Sequence, residues 1–392
     1  MKRQPSIKTV RIRNFKAIQD SGTIKLEPLT VLIGNNGSGK SSFIEGLETL
    51  EYIVQDDLDQ AMTTCHGFEY AWNKAVSHED RQESKDKRAY QTNPMAFTIT
   101  GNHAGRLLGA FRAKMEITMG PGGNSLFIQR EKLTFRKGLR MQRDDGGRIK
   151  YDSLSDGRKP QTKLDDGKSM MQNLGVGGMG HWQFLMLVPQ NMGEPVPQKR
   201  AGGDLRLVKD GSNIAQYLSW IRDKDSAAFE GIVETMQYVL SYARDLQPQL
   251  TSELERAVYL QLTEQGFKIP GWLFSTGTLR VLALLALLRS PEPPPLIVVE
   301  EIENGLDPRT IHLVLEEIRT AVQAGDTQVI LTTHSPYFLD LLHLRHLILC
   351  ERLDGVPVFT RPGDSESVRN WARNFAPGQL YTTGRFDREA QS

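Results

Sequence analysis

The sequence has 392 residues, 39% hydrophobic before glycine is counted and 24% charged, proportions that exclude wholesale disorder and leave room for two or three structural units. A net charge of +1 and only two cysteines, Cys65 and Cys350, exclude a global pull toward nucleic acid and a disulfide framework. The longest apolar run, Val281–Leu288, is far short of the roughly 18–20 residues that span a bilayer. No membrane partner is therefore expected. Met1–Pro5 carry charge with no apolar stretch behind them, so a secretory leader is not expected either, and two lone thiols fit a cytoplasmic setting.

Val10 and Ile12 alternate with Arg11 and Arg13, the period of a strand, and Thr30–Ile33 is a buried-strand run. Gly34–Ser41 breaks that pattern, and Phe43, Ile44, Leu47 and Leu50 follow at helical spacing. From about Glu51 to Gly271 the pattern does not return. Residues 56–93 are polar, 95–135 alternate as strands, and 144–168 are rich in Gly, Asp and Lys and are expected to form a mobile loop. Ile214–Tyr242 returns to helical spacing. Leu282–Arg289 reads as a helix, Pro291 and Pro293–Pro295 as a stiff spacer, and Leu296–Val299 as a short strand. Ile311–Val322 is an amphipathic helix, Val329–Thr332 a strand, and Phe338–Leu342 starts another helix. Strands alternating with helices imply an α/β fold with a parallel sheet. The expected organisation is one α/β domain with a mixed β core, built from residues 1–55 and 270–392. An inserted α+β lobe of residues 56–269 splits it.

Gly34-Asn35-Asn36-Gly37-Ser38-Gly39-Lys40-Ser41, followed by Ser42, matches the G-x-x-x-x-G-K-[ST] phosphate loop and sits between a strand and a helix. Glycines let backbone N–H groups converge on phosphates, and the helix N-terminus adds positive potential. Lys40 would reach the β/γ oxygens of ATP and Ser41 a Mg²⁺ ion. The apolar strand Leu296–Val299 ends in Glu300-Glu301. One carboxylate can steady the metal shell, here Glu300, while Glu301 polarises the attacking water. Ser275-Thr276-Gly277-Thr278 reads as a capped helix start, where Gly277 would let a phosphate approach. His334 follows a strand directly and points off the carboxyl edge of the sheet, where α/β proteins bind ligands; there it would read the γ-phosphate.

These motifs, in this order, resemble the ABC-type ATPase head of the SMC, RecF and OLD families. Glu303-Asn304-Gly305-Leu306-Asp307 looks like their D-loop, with Asn304, Gly305 and Asp307 as its site residues. More closely, the chain is similar to stand-alone AAA-family ATPases of OLD/RecF type in bacteria, many of them parts of phage-defence systems. Arg13-Asn14-Phe15-Lys16, the Glu-Glu Walker B and the tail Gly378-Gln379-Leu380-Tyr381 carry that likeness. Two departures stand out: Thr276 replaces the first glycine of the transporter signature, and Walker B ends in Glu300 rather than Asp. The resemblance implies that Ser275 and Gly277 act in trans on the ATP of a second subunit, and that ATP closes a homodimer or higher oligomer which hydrolysis reopens. It further implies control of a separate effector, such as a nuclease, or of a DNA transaction. A RecF-like repair ATPase and a nucleotide-dependent scaffold are the alternatives. OLD nucleases carry a Toprim domain after the ATPase, whereas Asp354, Asp364, Glu366 and Asp387 are scattered here, so the chain is not expected to cut nucleic acid itself. For the glutamine loop, Gln91 and Gln129 are candidates.

Residues 130–150 hold eight Lys/Arg against three Asp/Glu. A basic hairpin there would place Arg136, Lys137, Arg140 and Arg143 along a phosphate backbone, or would simply be solvated. His343, His346 and Cys350 are scattered by helix-to-strand geometry and read as structural rather than metal-binding.

Overall fold

The computed structural model describes residues 6–74, 93–103, 109–120, 125–144, 147–152, 161–174, 176–198, 205–252 and 254–387. The chain divides into two compact units. The first comprises Met1–Trp182, His343–Phe375 and Leu380–Ser392, the second Gln183–Leu342 and Ala376–Gln379.

The first unit is built on a nine-stranded antiparallel sheet. Its strands are β1 (Ser6–Phe15), β2 (Ile18–Asp20), β3 (Ile24–Lys25), β5 (Met95–Asn102), β6 (Ala110–Met119), β7 (Leu126–Phe135), β8 (Arg140–Arg143), β9 (Arg148–Asp152) and β10 (Gln161–Lys163). They run in the order β10-β9-β8-β7-β6-β5-β1-β2, with β3 also on β1. Alternation sorts the middle of β1. Val10 and Ile12 are buried, whereas Arg11 is exposed and Arg13 half-buried, as a half-buried strand requires; a register shift after Ile7 and the positive φ of Asn14 put the buried Ile7 and Phe15 out of step. α1 (Lys40–Gln55) packs on the apolar face, so close that a Cβ at Gly46 would lie 2.7 Å from Ile12 Cδ1. Two short helices follow it, α2 (Leu58–Thr64) and α3 (Phe68–Ala71). β4 (Leu29–Ile33) is buried throughout and pairs in parallel with β18 (Leu347–Leu353). β18 turns back into β19 (Val356–Thr360) through Asp354 and Gly355, both at positive φ, the two-residue turn whose twist suits a hairpin.

The expected loop at 144–168 is corrected here, because β9 and β10 pair within it; residues 145–146 and 153–160 lie outside the described set. Pairing explains the difference: β8, β9 and β10 each find a neighbour for their backbone groups, which the polar composition did not reveal.

The second unit holds a parallel three-stranded arrangement in which β11 (Gln183–Leu185) pairs β16 (Leu296–Val299), and β16 pairs β17 (Gln328–Thr332). The sequence placed Gln183–Leu185 in the inserted lobe, yet they extend the strand row that carries Glu300. Beside it, β12 (Val196–Pro197), β13 (Ala243–Leu250), β14 (Ala257–Glu264) and β15 (Phe267–Pro270) form a separate antiparallel sheet. Helices α4 (Pro189–Met192), α5 (Ile214–Lys224), α6 (Ser226–Val239), α7 (Thr276–Leu288), α8 (Pro308–Ala324) and α9 (Pro336–Asp340) complete the unit. The long helical stretch after Ile214 breaks because Asp225 adopts an extended backbone and caps α6, its carboxylate accepting from the Ala228 N–H at 3.0 Å. In the first unit, α10 (Glu366–Trp371) closes the C-terminal part. Among the described residues, no helix is long and apolar enough to cross a membrane.

Candidate functional site

The phosphate loop leaves β4 and enters α1 as its motif requires. Gly34, Gly37 and Gly39 have φ of 142°, 74° and 108°, a region in which a side chain would be strained. At Gly34 and Gly39 space forbids one as well. A Cβ at Gly34 would lie 2.0 Å from the Cys350 carbonyl oxygen, and one at Gly39 would lie 2.8 Å from Pro357 Cβ. The loop is thus seated on the β18–β19 hairpin. Arg352 adds to this, its Nε donating to the Gly37 carbonyl at 2.7 Å. Burial pushes the Tyr381 phenol up, against a hydrogen bond from the Gly34 backbone. Neither Arg352 nor Tyr381 was singled out for this place, since the loop motif says nothing of what lies beneath it.

Two donors mark the loop as an anion cradle. Lys40 Nζ is turned onto the loop's own carbonyls, Gly34 at 2.7 Å and Asn35 at 3.0 Å. Ser38 is 4% exposed and its hydroxyl is buried with no hydrogen-bond partner. An unsatisfied buried hydroxyl is costly, and phosphate oxygens would satisfy it. Asn35, Asn36 and Ser41 are exposed and Ser42 half-buried. Cys350, behind the loop, is a free thiol pushed up to about 12 by burial. Its thiolate is not available at neutral pH.

In the second unit, the carboxyl ends of β11, β16 and β17 gather the remaining motifs. Glu300 is half-buried, and its N–H donates to the Leu185 carbonyl at 3.1 Å. Glu301 is exposed at φ 51°, a left-handed conformation that costs energy for a residue with a side chain. Its N–H donates to Thr332 Oγ1 at 2.8 Å, and Asn304 Nδ2 donates to its carboxylate. The His334 backbone N–H donates to Glu303 Oε1 at 2.6 Å. The structure thereby brings Glu301, Asn304, Glu303 and His334 into one connected group. Thr332 and Glu303 are positioning contributions that the strand pattern did not expose.

Ser275 caps α7 as expected, its Oγ accepting from the Thr278 N–H at 3.1 Å. Gly277 earns its lack of a side chain, because a Cβ there would stand 2.5 Å from the Gly305 carbonyl oxygen. Thr276 Oγ1 and Arg280 flank Gly305 in turn. The helix start and the segment 303–307 therefore interlock, and burial pulls the Arg280 guanidinium down, against the charge of Glu301. Asp307 caps α8, accepting from the Arg309 and Thr310 N–H groups at 2.9 and 3.2 Å. The Thr310 hydroxyl and these amides hold its carboxyl below the usual range.

The basic hairpin divides. Arg136, Lys137 and Arg140 are exposed, but Arg143 is 1% exposed. Its guanidinium donates to the carbonyls of Asp165 and Lys168 at 2.8 and 2.7 Å, and more distantly to Asp166. Arg143 is removed from the nucleic-acid candidates: it is a buried organiser of backbone, opposite buried Glu131 in the register. Burial pushes Glu131 up, against its bonds from Ser169 and Met170 and the attraction of Arg143. Gln129 is buried inside β7, and Gln91 lies outside the described residues. Among the described residues, no cluster of three His, Cys, Asp or Glu is poised to hold a metal.

Two family models match the chain. Residues 6–103 match "AAA ATPase domain", and residues 178–340 match "AAA domain, putative AbiEii toxin, Type IV TA system". The chain carries an AAA-family ATPase domain. ATP binding is what these families imply. The phosphate loop lies in the first match, and Glu300, Glu301, Ser275, Gly277 and His334 lie in the second. A relative, the Nod factor export ATP-binding protein I of Sinorhizobium fredii (strain NBRC 101917 / NGR234), is 28% identical over 144 residues, 36% of this chain. The match spans only 38% of that relative's length. Among solved structures, the chain is similar to an Smc head bound to the C-winged helix domain of ScpA, at 15% identity and TM-score 0.48, covering 91% of this chain and 97% of that one. It is also similar to the SMC head domain from Thermotoga maritima, at 13% identity and TM-score 0.45, covering 91% and 98%.

Proposed function

We propose that this ATPase domain hydrolyses ATP and uses the cycle to close and reopen a homodimer that controls a partner effector or a DNA transaction, as in phage defence. The observation that carries the reading is the phosphate loop: a buried, unpartnered Ser38 hydroxyl beside Lys40, in a turn where Gly34 and Gly39 leave no room for a side chain. In this reading the Gly34–Ser42 segment binds the phosphates, and Lys40 moves from its carbonyls onto the β/γ oxygens. Ser41 and, through water, Glu300 would hold Mg²⁺, which neutralises phosphate charge when bound. Glu301 accepts a proton from the attacking water, held in aim by Thr332 and Asn304. His334 contacts the γ-phosphate with its backbone fixed by Glu303. Ser275 and Gly277, at the start of α7, face the nucleotide of the second copy. For the glutamine loop, this reading takes the segment leaving β11, with Gln190, because β11 ends beside Glu300.

The head is then the region of residues 1–55 and 270–392 together with β11, and most of residues 56–269 supplies the inserted elements. The test is ATP binding by calorimetry and sedimentation with and without ATP and Mg²⁺. The wild-type chain is expected to bind ATP and shift to a dimer, and Lys40→Ala to lose both. Equal ATP affinity in Lys40→Ala would remove the loop from the site.

A further inference from the structure

In an antiparallel sheet, side chains two apart on a strand share a face, and register decides which of them stand side by side. On the nine-stranded sheet, register lines up one row across six strands. Arg11 stands opposite Thr98, Thr98 opposite Lys114, Lys114 opposite Lys132, Lys132 opposite Gln142, and Gln142 opposite Lys150. The neighbouring row runs Thr100, Arg112, Thr134, Arg140. Arg112, Lys114, Lys132, Arg140 and Lys150 are all exposed. Neither row contains an apolar side chain.

Among the described residues, acids on this face are few: Asp152 stands opposite Arg140 in the register, and the others are already shared. Glu116, with a side chain 8% exposed, lies 2.5 Å from Lys114, 3.7 Å from Arg13 and 3.9 Å from Arg130. Asp20 pairs with Arg11, and Asp144 lies 3.3 Å from Lys150. Two positions set like charges directly across a ladder, Lys114 opposite Lys132 and Arg148 opposite Lys163. Such pairs destabilise a sheet by a few tenths of a kcal/mol to about 1, and Glu116 offsets the first only in part. A polyanion laid on the face relieves both.

We propose that this outer sheet face binds the phosphate backbone of a double-stranded nucleic acid without reading its sequence. Five strand spacings of about 4.8 Å carry the first row over roughly 24 Å, the length of about seven base-pair steps at roughly 3.4 Å each. Lys and Arg neutralise phosphates at that spacing, and the interleaved Thr and Gln donate hydrogen bonds to phosphate oxygens. The rows hold no aromatic side chain on which unpaired bases could stack, which sets a duplex ahead of a single strand. Binding at the β7–β8 turn, through Arg136 and Lys137, is a different site that the test separates. The inference deepens the proposed function by naming the chemistry of the partner, yet stands on residues outside the ATP site.

The experiment uses the full chain and duplexes of about 30 base pairs, DNA and RNA of one sequence, titrated between about 50 and 200 mM salt. The fourfold variant Arg112→Gln, Lys132→Gln, Arg140→Gln, Arg148→Gln is expected to bind at least about tenfold more weakly, with the slope of log K against log salt reduced by about 3 to 4. ATP affinity should not change, which keeps failure here distinct from failure of the ATPase reading. Arg136→Gln with Lys137→Gln is expected to leave the slope within about one unit of wild type. A second measurement needs no variant: bound duplex should protect Lys132 and Lys150 from an amine-reactive label, and not Lys268. No duplex binding by the wild type, an unchanged slope in the fourfold variant, or unprotected Lys132 and Lys150 would each overturn the proposal. A preference between the DNA and RNA arms identifies which duplex the face takes.

Discussion

Glu301→Gln is expected to keep ATP binding and to lose hydrolysis by about 10² to 10⁴-fold, or roughly 3 to 5 kcal/mol of barrier. The substitution keeps the length and shape of the side chain and removes the charge that receives the proton. The surroundings favour survival of the local geometry, because the amide bond to Thr332 comes from the backbone. Asn304 can still donate to the amide oxygen of a glutamine. Single-turnover phosphate release, measured beside equilibrium ATP binding, separates the two effects. A variant that hydrolyses within about threefold of wild type would move the catalytic base elsewhere.

Arg143→Ala has the largest expected effect on stability. Removal leaves the carbonyls of Asp165, Asp166 and Lys168 without their donor and buried Glu131 without a nearby positive charge. Breaking such a buried charged group by deleting one partner costs about 3 to 5 kcal/mol, a large share of the stability of an ordinary domain. Chemical denaturation should show the loss with or without nucleic acid present. A variant as stable as wild type would return Arg143 to the list of surface cations.

Arg143 also shows where the sequence was legible and was misread. Arg140-Met141-Gln142-Arg143 alternates, and period two places Arg143 on the face of Met141, the buried one. Counting charge over a window hid that. The phosphate loop, the strand ending in Glu300-Glu301 and the capped start of α7 were legible because each is local: a few residues specify turn, strand end or cap. The partners Thr332, Arg352 and Tyr381 were not, since each reaches its target across a long stretch of chain, Arg352 to Gly37 for one. β11 was missed because three residues are too short for a period to register. Its place emerges only from pairing with β16. The basic rows of the outer sheet were half legible. Alternation could assign a face, but only register could bring Lys114 beside Lys132.

The central claim is that one ATP site draws its phosphate loop from one copy of the chain and its Ser275 helix start from another. It is tested most directly by mixing two inactive chains, Lys40→Ala and Ser275→Arg. The first lacks the phosphate contact, and the second crowds the γ-phosphate from the opposite side. A mixed dimer contains one site with both lesions and one with neither. Under demonstrated heterodimer formation, the account predicts that ATPase activity partly returns in the mixture while each chain alone stays inactive. A mixture that stays dead, or a Ser275→Arg chain that is fully active alone, would contradict it.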